Sequence, residues 1–285
     1  MKPPVFDYVT ATSVAEAVAL LAEHDGAKLL AGGQSLVPML NFRLLQPTRL
    51  VDINAIPGLA EIQPTPDGGV RIGALTRHRT VETSALIAER FPVVTAAMAH
   101  VAHLAIRNRG TIGGSLSHGD PAAELPLMAV LLDAQLTVVG PQGSRVVAAR
   151  SFFQGALTTA LDDTEMLTEI VLPGLPPRTG WGFEEFARRH GDFAIAAAAA
   201  TLTIANGRCV AARLALIGAG EIVLRSPAAE AVLVGQAVTP DVIAAAAVAA
   251  QDAADPRADL QASADFRRHL VAVMSRRALT AAAHA

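Results

Sequence analysis

At 285 residues, 52% of them hydrophobic, the chain can bury one large core or two modest ones, and its net charge of −3 with a pI near 6.2 argues against nucleic acid as a partner. One cysteine, Cys209, excludes an internal disulfide and cannot by itself hold a four-thiolate iron–sulfur cluster, so any such cluster would belong to another chain. The opening Met1-Lys2-Pro3-Pro4 has no signal-peptide pattern and the longest apolar run, residues 194–205, is too short to cross a bilayer; the expectation is a soluble cytoplasmic protein without membrane insertion.

From the N-terminus, Thr12-Ser13 ahead of Val14-Ala15-Glu16-Ala17-Val18 reads as a helix cap with an acidic first turn, and Gly26 as the stop. Residues 28–31 read as a short buried strand, 36–45 as a helix and 49–53 as a second strand closed by Asn54 and Pro57-Gly58, together a β-α-β-like unit. Asp67-Gly68-Gly69 marks a hairpin between residues 60–62 and 70–74. Thr80-Val81-Glu82 opens one helix and residues 92–104 form another. A glycine-rich centre follows, with a short apolar helix at 126–132 packed behind it. Residues 135–139 and 145–148 pair as a hairpin turning at 140–143, and 166–172 alternate as a strand.

Pro173-Gly174-Leu175-Pro176-Pro177 is the best domain boundary, with three prolines and a glycine in five residues. Beyond it the composition shifts to alanine. Residues 182–187, 194–204 and 210–217 read as three antiparallel strands, with turns at Gly191-Asp192 and Asn206-Gly207. Residues 241–252 and 264–282 are helical by propensity.

Two stretches carry the chemistry. In Thr111-Ile112-Gly113-Gly114-Ser115 two adjacent glycines remove every Cβ, so backbone N–H groups can approach a ligand closely, and the flanking hydroxyls add donors. A stretch of the same character, Ala31-Gly32-Gly33-Gln34-Ser35-Leu36, follows the apolar pair Leu29-Leu30. Either alone is more often a plain turn; two such loops can grip a diphosphate from both sides.

Residues 29–54, LLAGGQSLVPMLNFRLLQPTRLVDIN, and 106–124, IRNRGTIGGSLSHGDPAAE, resemble the FAD-binding medium (flavoprotein) subunit of the molybdenum hydroxylases, the family of carbon monoxide dehydrogenase and xanthine dehydrogenase. The resemblance runs nearly end to end. It implies an α+β fold: a two-subdomain FAD-binding domain of the vanillyl-alcohol oxidase (PCMH) type over residues 1–175, then a small domain over 178–285 with a three-stranded antiparallel sheet and helices. It implies FAD in this chain, and [2Fe-2S] clusters and a molybdopterin cofactor in partners: a small iron–sulfur subunit and a large molybdopterin subunit, assembled as a dimer of heterotrimers. Electrons from a substrate oxidised in the large subunit would cross the clusters to this flavin, so no residue here is assigned as acid, base or nucleophile.

By the same resemblance Leu29, Leu30, Ala31, Gly32, Gly33, Gln34, Ser35 and Leu36 lie along the pyrophosphate, and Thr111, Ile112, Gly113, Gly114 and Ser115 take its other side. The family often has Asn where Ser115 stands. Glu124 falls where the family places an acidic residue near the adenosine, although a charge at a helix N-terminus is an equal reading, with Asp120 as the competing candidate. Leu167 and Phe193 match positions that pack on the isoalloxazine, although a plain core residue is the default reading of each. Glu184 and Glu185 stand where xanthine dehydrogenase relatives carry a lysine, which favours quinone, cytochrome or oxygen over NAD as acceptor.

Other signals are weaker. His100 and His103 have a spacing that can share a metal, but no third ligand accompanies them. Gly218-Ala219-Gly220 imitates a dinucleotide fingerprint that Val223 breaks. Two further readings stand beside the first. One is a stand-alone FAD oxidoreductase of the vanillyl-alcohol oxidase type, for which no base beside the ring can be nominated. The other is a flavin-free scaffold whose glycine stretches are only turns.

Overall fold

The computed structural model describes residues 1–284. The N-terminal unit is a three-stranded parallel sheet in the order Asp7–Thr10, Arg49–Asp52, Ala27–Leu30. The helix Val14–Glu23 covers it, capped by the Ser13 hydroxyl, which accepts the Glu16 N–H, and burying Ala17, Val18 and Leu21. The first strand is an addition to the β-α-β-like unit read from sequence. The following helix is shorter than expected, Leu36–Asn41, since Arg43 takes a positive φ of 57°.

A five-stranded antiparallel sheet follows, ordered Ile62–Pro64, Val70–Gly73, Met166–Leu172, Gln135–Gly140, Gly143–Ala148. Both hairpins stand where the turn residues put them. The helices between differ from expectation. Residues 78–90 split into His78–Thr83 and Ala85–Arg90, because the Ser84 hydroxyl caps the second by accepting the Ile87 N–H. Residues 92–104 split into Pro92–Met98 and Leu104–Arg107, with Ala102 at a φ of 43° between them. Glu124–Leu131 is buried all round, so it runs through the core instead of along the surface.

The C-terminal part has the three expected strands, Thr179–Phe186, Ala196–Ala205 and Arg208–Ile217, plus a two-residue fourth, Leu224–Arg225. The hairpin at Asn206-Gly207 has both residues at positive φ, 51° and 71°, the turn that matches strand twist. Helices Pro227–Leu233, which the sequence reading lacked, Pro240–Asp252 and Ala264–His284 cover one face. Alternation along this sheet makes it a wall between two cores. Ala197, Ala199, Ala215 and Ile217 join the core of the five-stranded sheet, while Ala198, Ala200, Leu214 and Leu216 join the helices. This double burial explains why an alanine run, favourable for helix by propensity, is a strand.

Candidate functional site

Residues 29–36 leave the parallel sheet at its C-terminal edge. Leu29 and Leu30 end the edge strand Ala27–Leu30, residues 31–35 turn, and Leu36 opens a helix. Gly33 has a φ of 71°, a conformation that favours glycine. Among the described residues, none of the six consecutive N–H groups from Ala31 to Leu36 has a protein acceptor. Gln34 and Ser35 are exposed, and the Gln34 amide folds back to donate to the Gly32 carbonyl at 3.1 Å.

The second stretch is a capped helix start, Ile112–His118, where an open loop was expected. The Thr111 hydroxyl accepts the Gly114 N–H at 3.1 Å, Ile112 N–H donates to the Thr76 carbonyl at 3.0 Å, and Gly113 N–H to that of Ala74 at 2.8 Å. Ser115, half-buried, donates its N–H to the Thr111 carbonyl. Thr111 is 2% exposed, so its hydroxyl is spent as a cap. Only the first stretch therefore leaves its N–H groups unclaimed. The glycines here serve close packing instead. A Cβ on Gly113 would stand 2.5 Å from the Ala74 Cβ, whereas the Cβ position of Gly114 meets nothing but its own cap. Gly114 accordingly presents bare, exposed backbone.

The two stretches meet. Gly32 lies so close to Arg109 and Gly110 that a side chain would collide with the Arg109 carbonyl, and Gly110 in turn faces the ring of His78. Sequence reasoning missed the residues that bind this junction. The Arg77 guanidinium donates to the Arg109 carbonyl and, at 2.7 Å, to Asn54 Oδ1. The Asn54 amide donates to the Ala31 carbonyl at 2.9 Å and to Asp52 at 2.7 Å, and the Tyr8 hydroxyl reaches Asp52 at 2.5 Å. Burial pushes the Asp52 carboxyl upward, but hydrogen bonds from Tyr8 and Asn54 and the Arg77 charge outweigh it and hold it below the usual range. Burial lowers the pKa of Arg77. The signal for these residues was present, since Asn54 ends a strand beside the first stretch and Arg77-His78 follows the strand that backs the second.

The remaining candidates lie around this junction to different degrees. Leu167 is 4% exposed in the core behind it: Ala74, which accepts from Gly113, itself donates to the Thr168 carbonyl at 2.9 Å. Glu124 is 5% exposed at the start of its helix, which rules out a solvated helix charge. Burial and the Glu185 carboxylate push its pKa up to about 8. Glu185 pairs with His100 at 3.4 Å, and His100 stacks on His190 at 5.9 Å between ring centroids. His103 packs against Gly191 instead of sharing a metal with His100, and no metal-binding group of three or more His, Cys, Asp or Glu occurs among the described residues. Phe193, 56% exposed, borders a depression of about 500 Å³ with Arg188, Arg189, Asp192, Leu260 and Gln261, none of which belongs to either glycine stretch.

The chemistry of this junction suits a dinucleotide cofactor. Six unclaimed N–H groups and an adjacent guanidinium fit a diphosphate. Comparison with known proteins gives the same answer. A family described as FAD binding domain in molybdopterin dehydrogenase matches residues 4–175, and CO dehydrogenase flavoprotein C-terminal domain matches 181–282. The chain is 45% identical to the 6-hydroxypseudooxynicotine dehydrogenase complex subunit alpha of Paenarthrobacter nicotinovorans, over 100% of this chain and 96% of that one. It is 38% identical to the carbon monoxide dehydrogenase medium chain of Hydrogenophaga pseudoflava, over 99% and 98%. A solved carbon monoxide dehydrogenase from that organism superposes with a TM-score of 0.96 at 40% identity over 99% of this chain and 98% of that one. Quinoline 2-oxidoreductase from Pseudomonas putida 86 gives 0.95 at 38%, over 100% and 99%. No helix among the described residues is long and apolar enough to cross a membrane.

Proposed function

Because this chain belongs to the FAD-binding medium subunits of the molybdenum hydroxylases, we propose that it is the electron-transfer subunit of a heteromeric enzyme, taking electrons from [2Fe-2S] clusters of a small partner and passing them to an external acceptor. The observation that carries the reading is the junction of the two glycine stretches, with the N–H groups of Ala31 to Leu36 unclaimed beside Arg77. Those N–H groups and the Ser35 hydroxyl hold the diphosphate. The bare backbone of Gly114 and the Ser115 side chain border it from the other side. Bound FAD supplies a ring that takes electrons singly and gives them up singly or in pairs, which suits a junction between one-electron clusters and an external acceptor.

The protein's task is to hold, orient and shield the cofactor. Leu167 would support it from the core, Phe193 would pack on the ring and Glu124 would accept from the adenosine sugar. The substrate is oxidised at a molybdopterin centre in a large third chain, and the residues that select it lie there. With a carboxylate pair, Glu184 and Glu185, in place of a lysine, the acceptor is a quinone, a cytochrome or oxygen in preference to NAD. Purification from the native source tests the whole reading. The expected result is recovery of FAD absorption together with an iron–sulfur chain and a large molybdenum chain. A colourless protein that ignores added FAD refutes it, and a yellow protein without those partners refutes its electron-transfer part.

A further inference from the structure

His78 is 6% exposed and belongs to none of the glycine stretches. Its backbone N–H donates to the Gly110 carbonyl at 2.9 Å, and its Nε2 lies 2.9 Å from the Thr111 carbonyl. A carbonyl can only accept, so Nε2 carries the proton and Nδ1 is the bare nitrogen. That Nδ1 is buried without a partner and faces Gly110, where an added Cβ would come within 2.9 Å of it. The contact chain is continuous: the imidazole lies on Gly110, and Arg109-Gly110 lies on Gly32. Burial, with Arg107 and Arg77 close by, holds the pKa of His78 down to about 4, so the ring is neutral at physiological pH.

We infer that His78 is a positioning residue for the FAD site: its Nε2–H, donating to Thr111, and its ring, filling the bare face of Gly110, hold residues 109–111 against Gly32 and so fix the spacing of the two glycine stretches. The inference rests on the flavin reading above. It assigns to the Thr76-Arg77-His78 segment a third share in the site. Arg77 ties the first stretch laterally through Asn54, while His78 supports the second from beneath. A neutral ring with a single donor is what this place requires, because a second N–H on Nδ1 would point at Gly110 with no acceptor.

The test is FAD affinity of the full chain, read by flavin fluorescence, in wild type, His78→Leu and His78→Gln. Leucine keeps apolar bulk but loses the donor, whereas glutamine keeps a neutral N–H of similar reach. Kd is expected to rise at least tenfold with leucine and to return to within about fivefold of wild type with glutamine, since one buried donor governs the difference. Equal affinity in all three variants, or equal loss with leucine and glutamine, overturns the inference while leaving the flavin reading intact. Failure of the wild-type chain to bind FAD overturns the flavin reading itself. Should leucine prevent folding, the histidine 15N spectrum of the wild-type chain decides. His78 is expected as the Nε2–H tautomer, with signals that shift on saturation with FAD, and either the other tautomer or indifference to FAD overturns the proposal.

Discussion

Replacing Glu124 by glutamine should stabilise the chain in a pH-dependent way. In the unfolded chain this carboxyl ionises around its ordinary 4.5; in the fold, burial and Glu185 keep it protonated up to about 8. The sign follows from linkage. Stability from this group is complete below pH 4.5 and is lost as pH rises from 4.5 towards 8, because the unfolded chain releases the proton first. At pH 5 little has been lost, and between pH 5 and pH 8 the loss grows by about 3 kcal/mol. Glutamine keeps the neutral shape without titrating. The assay is urea unfolding of the flavin-free chain followed by Trp181, the only tryptophan, at pH 5 and pH 8. The variant should gain about 3 kcal/mol on wild type between the two conditions. An advantage that is the same at both pH values would refute the argument that Glu124 is held neutral by its surroundings.

Other perturbations test the junction and its supports. Gly113→Ala drives a methyl into Ala74 and should cost about 1–3 kcal/mol of stability by denaturant titration, since overpacking is only partly relieved. Arg77→Met frees Asn54 and the Arg109 carbonyl at once and should weaken FAD binding by about 10–100-fold in a fluorescence titration. The Gly33→Val, Gly114→Val double variant puts a β-branched residue at a φ of 71° and a side chain against the Thr111 cap, so it should lose stability by urea unfolding and purify without flavin, and full FAD occupancy in it would count against the two-stretch site. His100→Ala removes the partner of a Glu185 side chain that is 2% exposed and should cost about 1–3 kcal/mol by thermal or urea unfolding.

Much of the fold was legible because its signals are local. Strand Met166–Leu172 and the hairpins at Gly68 and Gly207 rest on alternation and on turn residues that admit positive φ. The helices between residues 78 and 107 were misjudged for an equally local reason. Apolar periodicity continues across Ser84 and Ala102, but a serine that caps the next helix and an alanine held at positive φ divide it. The fourth C-terminal strand has only two residues, too few for any periodicity to register.

The site was legible in its glycines and illegible in their division of labour. Sequence alone gives Gly32, Gly33, Gly113 and Gly114 the same meaning, bare backbone for a ligand. In three dimensions Gly32 and Gly113 are bare because protein presses on them, Gly33 because of its φ, and only Gly114, whose Cβ position meets no more than its own Thr111 cap, is exposed backbone. The difference arises from contacts far apart in the chain, with Arg109 against Gly32 and Ala74 against Gly113. The same distance hides the electrostatics. Glu124 and Glu185 are sixty-one positions apart in sequence, yet the interaction raises one pKa and places His100 beside the other. His100 is itself raised by its hydrogen bond to Glu185, so its contribution to stability also declines as pH rises. His78 acts in the opposite sense, since its depressed pKa costs stability as pH falls from 6.5 towards 4. These groups oppose each other: Glu124 and His100 favour the fold at lower pH, and His78 favours it at higher pH.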